Sequence, residues 1–116
     1  MTKTAATESL VIEHLHADLP ITAEATTSRT VVSNDAARVV CFAMDVGQEL
    51  TDHSAPRAAV VQVVEGNVVF TAAGQRHELA AGDVVYLAPN ERHAVVALTA
   101  CRFVLVLVTA GGAAAK

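Results

Sequence analysis

The sequence predicts an all-β fold, an antiparallel β-sandwich or β-barrel of roughly eight or nine short strands. From Arg29 onward, apolar segments alternate with groups of turn-forming residues, which is the pattern expected of such folds. The apolar residues are mostly Val and Ala, aromatic residues make up 3% of the chain and Trp is absent. Because small and β-branched side chains suit a pleated sheet better than a helix, the composition supports the same conclusion.

Turns between the strands can be located in the sequence. Residues 33–36 are turn formers, and the pair Gly66-Asn67 is typical of a tight hairpin. The apolar residues 10–12, together with Leu15, fit either one helical turn or an edge strand, and both interpretations stay open. The predicted strands cover residues 30–32, 38–44, 58–64, 68–71, 75–79, 84–87, 93–96 and 101–108.

Length and charge limit the organisation and the partners. A chain of 116 residues can form one core, and we expect a single domain over residues 1–116 with flexible ends at 1–8 and 110–116. The formal charge is −4 and the arginines are scattered, so nucleic acid is not an expected partner. No apolar stretch is long enough for a membrane span, and no secretory signal is visible. A cytoplasmic protein without a membrane partner is therefore predicted.

The two cysteines, Cys41 and Cys101, each lie within an apolar run. Free cysteine is among the most buried residue types, and disulfides are rare in reducing compartments. We therefore expect two buried, reduced and structural thiols rather than a disulfide.

Two segments of the chain each begin with a glycine and lead to a histidine. Gly47 precedes His53, and Gly82 precedes His93; each glycine permits a tight turn before a strand. One hairpin's worth of chain, turning at Gly66, separates the two segments, so both histidines can reach the same cavity. A barrel or sandwich with aliphatic walls has such a cavity at its mouth, where small molecules commonly bind. We predict that His53 and His93 are the centre of the functional site.

These two segments resemble the two motifs of the cupin superfamily. The resemblance covers about residues 39–108 and implies a double-stranded β-helix, or jelly roll. In the second motif the proline is displaced by one place to Pro89, and Asn90 stands at a glycine position. Asn tolerates left-handed backbone angles, so the second exchange is mild. The matching residues are Gly47, His53 and Gly66 in the first motif and Gly82 and His93 in the second.

The sequence departs from the family at two metal-ligand positions. In metal-binding cupins, four residues hold Fe, Mn, Ni, Cu or Zn. Here the second histidine position is Ala55, and the glutamate position is Ala59, or Val60 with the longer spacing. His53 and His93 are therefore the two ligands that the resemblance retains, and two imidazoles rarely fix a divalent ion alone. No organic cofactor is predicted.

His77 is the candidate for a third metal ligand. It lies in a predicted strand and shares a face with Leu79, so it enters the cavity if Leu79 points inward. The alternative is a partly exposed strand histidine beside Arg76 and Glu78.

The sequence is compatible with three functions. The first is a metal-binding cupin, such as a metal-dependent oxygenase or isomerase acting on a small oxygenated substrate. The second is a metal-free enzyme in which His53 or His93 is the general base and Tyr86 donates a proton. The third is a non-enzymatic module that binds or senses a small ligand. Because cupins commonly pair sheet to sheet, a homodimer is also expected.

Overall fold

The computed structural model describes residues 3–108 of the chain. This part contains nine strands and one short helix, α1 (Leu15–Asp18). The predicted flexible tail at residues 110–116 lies outside the described residues, and so do Met1 and Thr2. The strands are β1 (Thr26–Ser33), β2 (Ala37–Met44), β3 (Glu49–His53), β4 (Ala59–Glu65), β5 (Asn67–Ala72), β6 (Gln75–Ala80), β7 (Val84–Leu87), β8 (His93–Ala97) and β9 (Cys101–Val108).

The strands form two antiparallel sheets that pack against each other. The larger sheet has the order β1-β2-β9-β4-β7, and the smaller sheet has the order β3-β8-β5-β6. Every pair of neighbouring strands is antiparallel. The predicted all-β antiparallel fold of jelly-roll type is confirmed.

Alternate side chains of the strands fill the space between the sheets, because successive residues of a strand point to opposite faces. In β4, Val61 and Val63 are buried while Gln62 between them is exposed. Val68 and Phe70 of the smaller sheet meet them in the same core cluster. Small β-branched residues thus account for much of this core, as the composition predicts.

The prediction of a hairpin at Gly66-Asn67 is wrong. β4 pairs with β7 and β9 in the larger sheet, whereas β5 pairs with β6 and β8 in the smaller sheet. The bend therefore carries the chain from one sheet to the other. Gly66 has φ +80°, and a Cβ there would clash with the carbonyl oxygen of Ala100 and with the Thr99 side chain. Glycine is thus required both by the backbone angle and by the close approach of the β8–β9 turn.

The segment that precedes β1 covers part of the outer face of the larger sheet. Residues 10–13 are neither helix nor strand, and α1 begins only at Leu15. Leu19 is buried against Cys41 and Ala43 in a second, smaller core cluster. The Arg102 guanidinium donates to the Leu19 carbonyl oxygen at 3.3 Å and fixes this segment to β9. With four residues, α1 is too short to cross a membrane, and it is the only helix in residues 3–108.

The cysteines lie on opposite faces of the larger sheet. Cys101 belongs to the core between the sheets, whereas Cys41 lies under the N-terminal segment. Both are buried free thiols. Burial raises the pKa of the Cys41 thiol, and it raises the pKa of the Cys101 thiol to about 11. A thiol with a raised pKa is a poor nucleophile at neutral pH.

Candidate functional site

A cavity of about 190 Å³ opens at one end of the sandwich, between the two sheets. Its walls come from the last residues of β3, β7 and β9, the first residues of β4 and β8, and the connections next to them. We call it the histidine cavity. Its lining is formed by His53, Ala55, Arg57, Ala59, Leu87, Ala88, Glu91, His93, Leu105 and Leu107.

His53 and His93 stand directly opposite each other in the pairing of β3 with β8. Their ring centroids are 4.1 Å apart, and their planes are inclined by 61°. The turns that precede the two strands use left-handed backbone angles, at Gly47 (φ +82°) and at Asn90 (φ +69°). His93 is 8% exposed, whereas His53 is open to solvent. The cavity wall therefore presents one buried and one accessible imidazole.

Backbone carbonyl groups determine which nitrogen of each ring carries the hydrogen. His53 Nδ1 lies 2.6 Å from the Thr51 carbonyl oxygen, and His93 Nδ1 lies 3.0 Å from that of Glu91. Because a carbonyl oxygen only accepts, each Nδ1 is the donor. In the neutral rings, both Nε2 atoms then carry lone pairs. The site thus provides two hydrogen-bond acceptors, or two candidate ligand atoms for a metal.

Neighbouring residues hold the two rings in place. The ring of Phe70 lies 5.9 Å from that of His93 and is parallel to it within 4°. On the exposed side, Arg92 Nε and Nη2 both lie 2.7 Å from Asp52 Oδ2, which joins the residues next to the two histidines. The buried aromatic contact orients His93, and the surface ion pair ties its strand to β3.

The structure places the other candidate residues outside the histidine cavity. His77 is opposite Phe70 in the pairing of β5 with β6, so both point to the same face, but β6 is an edge strand and His77 is exposed. The structure therefore does not bring His77 to the other two histidines. Tyr86 is 66% exposed and precedes Leu87, which lines the cavity, so it points to the opposite face of β7.

Arg57 and Glu91 line the cavity and were not among the residues predicted from the sequence. Arg57 lies in the connection between β3 and β4, two residues after Ala55. Glu91 precedes β8, and its carbonyl oxygen accepts the His93 hydrogen bond. Neither Arg57 nor Glu91 is a motif position. Each lies within two residues of one, because Arg57 follows Ala55 and Glu91 precedes His93.

Residues 40–108 match the family model described as Cupin domain. The chain belongs to the cupin family. This stretch spans β3 and β8 with both cavity histidines, and it covers more than half of the chain. The predicted membership is confirmed.

Several solved structures are similar to this cupin over most of its length. A conserved protein of unknown function from Streptococcus pyogenes has 27% identity and a TM-score of 0.79, covering 94% of this chain and 96% of that one. A cupin superfamily protein from Desulfitobacterium hafniense has 15% identity and a TM-score of 0.78, covering 88% and 96%. A predicted oxalate decarboxylase from Thermotoga maritima has 20% identity and a TM-score of 0.67, covering 72% and 80%. The last two show the fold alone. No curated protein sequence matches the chain significantly.

The residues of this cupin do not fit a four-ligand metal centre. Ala55 and Ala59 both line the histidine cavity, so the positions of the two missing ligands face the site but offer only methyl groups. No group of three or more His, Cys, Asp or Glu side chains in residues 3–108 is arranged to hold a metal ion. Of the four motif positions, the two imidazole Nε2 atoms remain as donors, fewer than the three or four protein ligands usual for zinc.

Proposed function

We propose that this cupin binds a small hydroxylated molecule in the histidine cavity, without a tightly bound resident metal. The observation that carries the proposal is the pair of imidazoles in the cavity wall, each with Nδ1 held by a backbone carbonyl and Nε2 left as an acceptor. A ligand hydroxyl donates to such an Nε2 atom. The two alanines at the former ligand positions leave room for the ligand instead of a metal.

The remaining walls suit a compact organic molecule. Alanine and leucine side chains from three strands of the larger sheet provide apolar surface, and small-molecule sites commonly combine apolar walls with a few polar groups that fix orientation. A volume of about 190 Å³ restricts the occupant to a few carbon atoms with their oxygens.

Binding without catalysis is favoured over the two enzymatic alternatives. A metal-dependent oxygenase or isomerase needs the ligands that Ala55 and Ala59 lack. A metal-free enzyme with Tyr86 as proton donor needs that hydroxyl in the cavity, and Tyr86 lies on the opposite face of β7. The histidines retain the ability to orient a ligand through hydrogen bonds.

Titration calorimetry with pairs of acids tests the role of the histidines. Lactate and malate each carry a hydroxyl group that propionate and succinate lack. We expect the wild type to bind the hydroxy acids about five- to tenfold more tightly, as one hydrogen bond contributes about 1 kcal/mol. His53→Ala and His93→Ala remove this preference, whereas the control His77→Ala keeps it. Equal affinity of the wild type for both members of each pair contradicts the proposal.

A second titration, with Zn²⁺, Mn²⁺ and Ni²⁺, tests the metal. Two imidazoles should give only weak binding that declines on acidification, because metals bind the neutral ring. Tight binding of one of these ions by the wild type, lost in His53→Ala, would restore the metalloenzyme as the leading function.

We further propose that the protein is a two-fold homodimer. The outer face of the larger sheet exposes apolar side chains next to its β7 edge, with Val84 at 58% and Tyr86 at 66%. Exposed apolar patches commonly mark protein–protein contacts. Light scattering should give twice the monomer mass for the wild type and the monomer mass for Val84→Asp. A monomeric wild type at micromolar concentration excludes the homodimer.

A cytoplasmic location is proposed on the basis of the two free thiols. Cys41 and Cys101 are buried on opposite faces of one sheet, so they cannot pair within one chain without a large rearrangement. Unpaired cysteines are common where the thiol pool is reducing. Recovery of the protein from a secreted or periplasmic fraction would contradict this location.

A further inference from the structure

A second cavity, of about 390 Å³, adjoins the histidine cavity. The two share Ala55, Arg57 and Leu107 in their walls. The remaining wall comes from the N-terminal segment, the turn between β1 and β2, the start of β2 and the β3–β4 connection. We call it the arginine cavity. Its charged residues are Lys3, Asp35, Arg38 and Arg57.

Neither arginine of this cavity has a carboxylate partner of the kind that Arg29, Arg92 and Arg102 have within residues 3–108. The ion pairs of the described residues are formed by His16, Arg29, Arg92 and Arg102. Neither Arg38 nor Arg57 takes part in one. Arg38 Nε is also buried with no hydrogen-bond partner. An unsatisfied buried donor is costly, particularly on a charged group. Arg38 also lines the cavity wall, where an anion in the cavity would meet its side chain.

The fold gives a reason for this convergence of cations. Arg38 is opposite Leu107 in the pairing of β2 with β9, so its side chain points to the same inner face as the cavity leucine. Thr4 N–H donates to the Ser33 carbonyl oxygen at 2.8 Å, which holds Lys3 beside the end of β1. Three cations and one carboxylate thus line a single cavity in a chain whose formal charge is −4.

We propose that the arginine cavity binds the anionic group of the ligand, a carboxylate or a phosphate, on Arg38 and Arg57. A guanidinium group remains charged at any ordinary pH and matches the two oxygens of such an anion. Because Arg57 lines both cavities, one elongated acid can reach from the arginines to the imidazoles. The contact of the ligand hydroxyl with the imidazoles rests on the proposed function, whereas the binding of the anionic group to the arginines does not depend on it.

The test uses inorganic phosphate and succinate as separate probes, titrated by calorimetry at fixed ionic strength. Arg38→Gln and Arg57→Gln should each weaken binding about tenfold or more, as expected for a lost charge-assisted hydrogen bond. Arg76→Gln is the matched control, because it removes the same charge from an exposed position on β6 outside both cavities. Asp35→Asn should strengthen binding, because it removes the one carboxylate that the described residues contribute to the cavity wall. A difference between the probes tells whether the anion is a phosphate or a carboxylate.

Several results overturn the inference. These are indifference of the wild type to both probes, an equal effect of Arg76→Gln, or unchanged affinity in both cavity variants. Amide NMR spectra of every variant check that the fold is kept, and Arg57→Gln changes an exposed side chain that is not needed for packing. If Arg38→Gln weakens succinate binding while lactate and propionate bind equally, the anion site stands and the proposed role of the histidines fails. If Arg38→Gln leaves succinate binding unchanged while lactate binds more tightly than propionate, only the anion site is refuted.

Discussion

Restoring the two missing ligands should convert the histidine cavity into a strong metal site. The change is Ala55→His together with Ala59→Glu. Both alanines line the cavity beside His53 and His93, so the new side chains have room to reach a shared ion. The isosteric control is Ala55→His with Ala59→Gln, which adds the same volume without the carboxylate.

The expected gain follows from the ligand count and from burial. Four-ligand zinc sites bind with about 10–16 kcal/mol, so each ligand contributes about 3 kcal/mol and two contribute about 6 kcal/mol. Ala59 is 3% exposed, and burying a carboxylate there costs several kcal/mol. A net gain of about 3 kcal/mol remains, which is a 100-fold tighter dissociation constant.

Calorimetry with Zn²⁺ measures this gain directly, and thermal unfolding gives a second reading. Without metal, the double variant should melt below the wild type because the new carboxylate is desolvated. Added Zn²⁺ should raise its melting temperature far more than that of the wild type, since a ligand stabilises the state that binds it. Equal zinc affinity of wild type, double variant and glutamine control would refute the reasoning, because it would show that positions 55 and 59 do not share a site with the histidines.

Other predictions concern stability and ring orientation. Gly66→Ala should lose about 3 kcal/mol in urea unfolding, from left-handed strain plus a steric clash, whereas Gly74→Ala, with similar φ but open space around it, should lose about 1 kcal/mol. The contribution of Cys101 to stability should be complete below pH 9, the pKa of an unfolded thiol, and should be lost as pH rises through about 11; Cys101→Ala should flatten this alkaline decline in urea titrations. Phe70→Leu and Phe103→Leu both remove a ring from the main core, but only the first should shift the His93 ring signals in NMR spectra and weaken lactate binding.

The alternation of apolar residues and the turn glycines were sufficient to predict the antiparallel fold. They also predicted that the strand segments after Gly47 and Gly82 converge. The structure places His53 opposite His93, although the Gly66 hairpin from which this convergence was inferred is wrong. The pair Gly66-Asn67 misled because a tight bend has the same local sequence whether its strands pair or enter different sheets. Only the long-range pairing of β4 with β9 settles that choice.

The residues that the sequence did not reveal depend on contacts between distant segments. Arg38 and Arg57 are separated by all of β3, and no spacing rule connects them; the register of β2 with β9 and the path of the β3–β4 connection bring them to one cavity. For His77, strand parity correctly predicted a face shared with the inward-pointing Leu79. Parity does not indicate that β6 is an edge strand, and this is why His77 stays exposed.

The alanines at two metal-ligand positions and the arginines beside the cavity can be understood together in electrostatic terms. A divalent metal in a cupin cavity would both attract an anionic ligand and act on it as a Lewis acid. In the proposed site, where Ala55 and Ala59 supply no ligands to such a centre, the positive charge comes from Arg38 and Arg57, with Lys3 beside them. A guanidinium group attracts and orients a carboxylate or phosphate, but it has no empty orbital with which to polarise a bound oxygen. The proposed site would therefore recognise an acid without metal-assisted chemistry, which is the physical reason why we propose a binding or sensing role rather than an oxygenase.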